Sequence, residues 1–128
     1  ILENVELPMI NLPNMRVQLI GCLESLSDLA YQKKCWVLDK CPVGVQDNFN
    51  LSVHFFFDDT SLSENPHLLV GVCLRNENEA QAIQQVCQMI DKVFDEHGLD
   101  KSDEEYINCP EWGAVLNSAS EALAIIRK

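Results

Sequence analysis

Asn48-Phe49-Asn50-Leu51-Ser52-Val53-His54-Phe55-Phe56-Phe57 is the stretch on which the reading of the fold turns. Apolar side chains stand at 49, 51, 53, 55 and 57, and polar ones at 48, 50, 52 and 54. This is the period-two alternation of a half-buried strand. Phe56 adds an aromatic to the polar face, so that face is expected to be partly covered. A polar, turn-rich run follows from Asp58 to Pro66. His67-Leu68-Leu69-Val70-Gly71-Val72-Cys73-Leu74, apolar on both faces, then reads as a second strand, and the two are expected to pair as an antiparallel hairpin with a long connection.

Helical patterns lie on both sides. Val17, Leu19-Ile20, Leu23, Leu26 and Leu29-Ala30 recur at three- and four-residue spacing. Asn14, after Pro13, offers an N-cap, and the helix is expected to reach about Lys34, with Ser27-Asp28 as a second capping pair where it can break. Cys35-Trp36-Val37-Leu38 either ends that helix or begins a strand, and Cys41-Pro42-Val43-Gly44 is a loop. Beyond the hairpin, Asn76 and Glu79 resemble a capping box, Ile83, Val86-Cys87, Ile90 and Val93-Phe94 form one stripe, and Gly98 supplies the stop. Ser102 and Glu105 open a short helix through Tyr106-Ile107, and Asn108, Pro110 and Glu111 open a last one lined by Trp112, Val115-Leu116, Ala119, Leu123 and Ile126. The expected fold is α+β: a small antiparallel sheet with packed helices, in the order helix, strand, strand, helix, short helix, helix. It forms a single domain over residues 1–128, with 1–12 as an extended N-terminal arm.

Length and composition suit such a domain: 128 residues, 47% of them apolar, can bury a core without staples. Twenty acids against nine bases give a net charge of −11. That field repels nucleic-acid phosphates and anionic lipid and favours a basic partner. No apolar run is long enough to span a bilayer, and no basic region precedes an apolar run at the N-terminus, so neither a membrane segment nor a signal peptide is expected. Six cysteines lack any C-x-x-C pair or zinc spacing. Cys73 and Cys87 fall where core residues belong, so free, buried thiols in a reducing cytoplasm are favoured over a disulfide framework, the even count leaving the latter open.

Four constellations could carry chemistry. His54, Asp58, Asp59 and His67 are metal-capable residues near the ends of the two expected strands, but no spacing among them is specific, and a solvated loop is the preferred reading. Asp58 and Asp59 could serve as an acid–base pair, although Asp-Asp-Thr-Ser is ordinary turn chemistry. Cys41 and Cys109 each precede a proline; Cys109 is expected near a helix N-terminus, which lowers a thiol pKa, yet no nucleophile motif surrounds either. The fourth is the acidic stretch of Asp91, Asp95, Glu96, Asp100, Asp103, Glu104, Glu105 and Glu111, opposed only by Lys92 and Lys101 and flanked by Tyr106 and Trp112. Aromatics among acids suit an interface with a basic protein. No glycine-rich phosphate loop and no basic stripe is present.

Tyr31-Gln32 followed by Trp36-Val37, then Phe55-Phe56-Phe57-Asp58-Asp59-Thr60, then Glu105-Tyr106-Ile107 before Pro110-Glu111-Trp112, resembles a set shared by one group of small bacterial proteins. The resemblance spans roughly residues 15–127 and implies a bacterial cytosolic protein; it carries over no catalytic residue. In size, charge and expected architecture the chain also resembles immunity proteins of contact-dependent inhibition and polymorphic toxin systems, an analogy of format.

The expected function is therefore that of a non-catalytic protein-binding domain, most concretely an acidic immunity protein that neutralises a basic toxin domain. Asp58, Asp59, Asp103, Glu104, Glu105 and Glu111 are the expected contact charges and Tyr106 an expected anchor. No metal, cofactor, nucleic acid or membrane is expected. The alternatives are a small metal-dependent enzyme built on His54, Asp58, Asp59 and His67, and a homo-oligomeric subunit exposing Phe56 or Trp36.

Overall fold

The computed structural model describes residues 10–128. Helix α1 (Pro13–Leu26) begins on a proline, whose missing N–H would have had no partner in a first turn. It stops at Ser27. The Asp28 carboxylate then accepts from the Tyr31 N–H at 3.0 Å and starts α2 (Leu29–Tyr31), which passes directly into a π-helix over Gln32–Val37. The break thus falls at the Ser27-Asp28 capping pair, and Cys35-Trp36-Val37 ends a helix instead of opening a strand. The arm expected over 1–12 lies outside the described residues except for 10–12, where the N–H groups of Asn11 and Leu12 donate to the carbonyls of Gly71 and Val72 at 3.0 and 2.8 Å.

The α+β expectation is overturned between residues 48 and 74. Among the described residues there is no strand and no sheet, and the fold is all-α. Phe49–His54 form helix α3, which widens into a second π-helix over Phe55–Asp59. The Asn48 side chain caps α3 by accepting from the Leu51 N–H at 2.9 Å. Phe49, Ser52, Phe55 and Phe56 are buried, the spacing of a helix face. Leu51, which a strand would bury, is 47% exposed, whereas Ser52 is 1% exposed. The odd-numbered apolar set shares positions 49 and 55 with this helical face, so both periods fit a run this short. The Asn48 cap and Phe56 decide between them.

The second expected strand is a 3-10 turn, Pro66–Leu69, followed by a fold-back. Gly71 has φ +92°, a conformation side-chain-bearing residues rarely adopt. The turn lets the Leu69 carbonyl accept from the N–H groups of Val72, Cys73 and Leu74 at 3.0, 3.1 and 3.1 Å. A lone bridge between Val70 and Leu74 is all the β structure among the described residues. The run is apolar because Cys73 and Leu74 plug the helical core, not because a sheet covers it.

From Asn76 onward most local signals hold, but the Glu79 side chain accepts from the Arg75 N–H and makes no reciprocal box with Asn76, and Pro110 lies before the last helix instead of in its first turn. The Asn76 side-chain Oδ1 accepts from the Glu79 N–H at 3.0 Å and caps α4 (Glu77–His97), and Gly98, at φ +83°, ends it. Ser102 and Glu105 form a complete capping box on α5 (Asp103–Ile107), with bonds of 2.9 and 3.2 Å. α6 (Trp112–Ile126) packs against both α4 and α1. Phe49 centres an aromatic core, edge-on to Trp112 and Tyr106 at 5.0 and 5.3 Å and stacked with Phe94 and Trp36 at 5.7 and 5.9 Å. Phe56 and Trp36 are themselves buried, so neither is the exposed interface residue it was expected to be in an oligomer. Gln32, fully buried, is satisfied on both ends: it donates to the Ser25 carbonyl at 2.8 Å and accepts from the Trp112 indole N–H at 2.9 Å.

Two further features were not foreseen. Arg16 is buried and donates to both Glu79 carboxylate oxygens, at 2.8 and 3.0 Å, and to the carbonyls of Cys73 and Ile126, at 2.9 and 3.3 Å. Cys35 and Cys41 form a disulfide. Cys22, Cys73, Cys87 and Cys109 are free, with Cys73 and Cys87 buried as small hydrophobes.

Candidate functional site

The seven residues expected to meet a partner have different fates. Asp58 is exposed and pairs with His54, one turn earlier, at 2.5 Å. Asp59 is exposed at the end of its π-helix, and Glu104 is exposed on α5. Asp103 is half-buried and accepts from the Phe49 N–H at 3.2 Å; burial pushes its carboxyl up, against the pull of that bond. Glu105 is exposed but held in the capping box, whose backbone and hydroxyl bonds from Ser102 keep its carboxyl below the usual range. Tyr106 is 4% exposed, and its hydroxyl donates to the Gly98 carbonyl at 2.7 Å. It clamps the end of α4 from inside and is no surface anchor. Glu111 is half-buried beside His97.

These residues do not share one depression. Asp59 lines a groove between α1 and α3, Glu104 a hollow beside Lys33 and Leu38, and Glu105 another beside His97. What does stay together along the chain is a run of exposed acids, Asp91, Asp95, Glu96, Asp100, Glu104 and Glu105, with exposed Lys92 and Lys101 between them.

The residues expected to carry other chemistry are dispersed. His67 pairs with Glu77 at the start of α4, and His54 with Asp58; with Asp59 they do not gather into a ligand set. Cys41 is tied to Cys35. Cys109 does not gain a lowered pKa from its position: burial pushes its thiol up.

The α1–α3 groove has a volume of about 710 Å³. Its polar centre is Asp47, whose carboxylate accepts from the Ser25 and Tyr31 hydroxyls at 2.7 and 2.8 Å. Burial and that bond push the Tyr31 phenol up to about 12, and burial pushes the Cys22 thiol up to about 11. Both groups are protonated at neutral pH, so neither is an activated nucleophile.

Among the described residues one group of three metal-capable side chains converges: His97, Cys109 and Glu111, with ligand atoms all within 4.8 Å of one another. His97 is the last residue of α4, and Cys109 and Glu111 flank Pro110 just before α6. His97 Nε2 lies 2.6 Å from a Glu111 carboxylate oxygen, and this bond is the main cause holding the Glu111 carboxyl below its usual range. A hollow of about 310 Å³, lined by His97, Lys101, Glu105, Cys109 and Pro110, adjoins the group. Sequence reading singled out Glu111 and Cys109 for other roles and passed over His97. The available signal was Cys-Pro-Glu closely following a helix that ends on His.

Among the described residues no helix is long and apolar enough to cross a membrane. No curated protein and no solved structure matches the chain. One family model matches residues 10–128, nearly the whole sequence, and the chain belongs to that family, described as a domain of unknown function (DUF7945).

Proposed function

We propose that this chain is a non-catalytic, acidic binding domain for a basic protein, and that it acts in the bacterial cytoplasm as an immunity protein against a toxin domain. The observation that carries the reading is the exposed acidic run from the last turns of α4 through α5, on a chain of net charge −11. Such a surface steers a basic partner into contact and repels nucleic acid. The α1–α3 groove adds no activated nucleophile, in keeping with a role in binding. The contact charges are Asp95, Glu96, Asp100 and Glu104, together with Asp58 and Asp59, of which Asp59 lines a different hollow from Glu104. The Cys35–Cys41 disulfide pulls the other way on compartment, since disulfides persist in oxidising surroundings. In a reducing cytoplasm that pair would be a dithiol.

The test is a pull-down from bacterial lysate with the unmodified chain and with a variant carrying Asp95→Asn, Glu96→Gln, Asp100→Asn and Glu104→Gln. The reading expects a stoichiometric basic partner that is released by salt, lost with the variant, and toxic when expressed without this chain. Absence of a partner at any salt, or capture that the variant leaves unchanged, would sink it.

A further inference from the structure

We propose that His97, Cys109 and Glu111 form a binding site for a zinc ion, with a fourth coordination position open to the adjoining hollow. The donor set is one imidazole nitrogen, one sulfur and one carboxylate oxygen. Each is an ordinary zinc ligand, Cys109 binding as a thiolate after its proton is released to solvent on metal binding, and a thiolate disfavours magnesium and calcium, which take oxygen. A tetrahedral zinc with bonds of about 2.0–2.3 Å sets its ligands roughly 3.3–3.8 Å apart. The three atoms here lie within 4.8 Å of one another, and the His97–Glu111 pair stands at 2.6 Å. Shifts of about 1 Å in side-chain position bring the set to that geometry.

The backbone that carries the ligands is already fixed. The Cys109 N–H donates to the Tyr106 carbonyl at 3.1 Å, and the Trp112 N–H to the Cys109 carbonyl at 3.1 Å. The buried Tyr106 hydroxyl holds Gly98, the neighbour of His97, at 2.7 Å. Little ordering remains to oppose binding, which is the condition under which a three-residue set holds an ion. Three protein ligands with one free position is also the arrangement zinc takes when a water or another molecule completes the shell. The hollow of about 310 Å³ has room for that fourth ligand, and Glu105 and Lys101 line it. The Lys101 charge opposes a cation; Glu105, Glu111 and the acidic surroundings outweigh it.

The experiment titrates the full chain, purified without thiol reductant so that Cys35–Cys41 stays closed, with Co²⁺ alone and then with Zn²⁺. One Co²⁺ per chain is expected, with a sulfur-to-cobalt charge-transfer band that Zn²⁺ abolishes. Cys109→Ser should remove the band. Cys109→Ser and His97→Gln should each weaken Zn²⁺ binding by at least roughly 100-fold, the upper end of what loss of a mere outer partner costs, while Asp58→Asn leaves it unchanged. A band that survives Cys109→Ser, or no stoichiometric uptake, overturns the proposal. Should a variant misfold, alkylation of the unmodified chain decides: Zn²⁺ is expected to protect Cys109 and not Cys22, and equal labelling with and without Zn²⁺ overturns it.

Discussion

Helix α4 carries an acid–base pair near each end, on Glu79 and His97, about 27 Å apart at 1.5 Å per residue. At its N-terminal end Glu79 is buried, grips Arg16 with two hydrogen bonds and also accepts from the Arg75 N–H at 2.8 Å. At its C-terminal end His97 meets Glu111 through one contact, with both side chains 29% exposed. Burial by itself would push the Glu79 carboxyl up, but the bonds from Arg16 and Arg75 outweigh it and hold the carboxyl below its usual range. The hydrogen bond to Glu79 likewise raises Arg16. A pair so completely enclosed has no capacity left for a ligand and serves the fold. The other pair has an open side and a thiol beside it, and is free to do chemistry. The same helix thus shows that accessibility, more than residue type, separates a structural pair from a site.

The sharpest way to break this contrast is at the buried end. Arg16→Ala or Glu79→Ala should cost about 3–5 kcal/mol in urea denaturation, since each strands a buried partner. The combined Arg16→Met, Glu79→Leu chain should recover only part of that, because the carbonyls of Cys73 and Ile126 and the Arg75 N–H lose their partners as well. The pair also sets an acid limb. Because the folded-state pKa of Glu79 is depressed, its contribution is full above the ordinary glutamate value of 4.5 and is lost as pH falls through the folded value. Urea midpoints between pH 3 and pH 7, chosen as roughly bracketing that window, should fall at the acid end, and less so in Glu79→Gln.

Smaller effects follow along the helix. Gly98→Ala should cost about 1–3 kcal/mol from backbone conformation alone, because φ is +83° and no atom lies within 4 Å of the place the added methyl would take. Asn76→Ala should cost about 1 kcal/mol, the usual worth of an N-cap. Smallest of all, His97→Gln should leave the thermal midpoint unchanged while weakening zinc binding by at least roughly 100-fold. A large drop in midpoint from His97→Gln would erase the distinction between the two ends.

Legibility follows the same division between local and distant causes. The stripes of α4 and α6, the Asn76 cap, the Ser102–Glu105 box and the Gly98 stop are written within a few neighbouring residues, and each was readable. The 48–57 stretch was not, because alternation and a helical face coincide at Phe49 and Phe55, and burial of Ser52 in place of Leu51 is decided by packing from elsewhere. Residues 67–74 look like a strand because their apolar content answers to the core, while Gly71 turns the backbone. Arg16 gave no sign that it would be buried, since its partner lies 63 residues away. The site was half legible: Glu111 and Cys109 drew attention separately, but His97, fourteen residues before Glu111, joins them only through the turn that Gly98 and Tyr106 enforce.

The reach of Arg16 has a consequence for the order of events on the ribosome. One of its bonds goes to the Ile126 carbonyl, 110 residues later, and α6 is a principal cover of α1. At roughly 5–20 residues per second, α6 is made about 5–20 s after α1. Throughout that interval Leu19, Leu23 and Leu26 are synthesised but have no α6 to close over them. The apolar face of α1 therefore gains this cover only once α6 has been made, so the two helices cannot close on each other while the segment between them is still being synthesised.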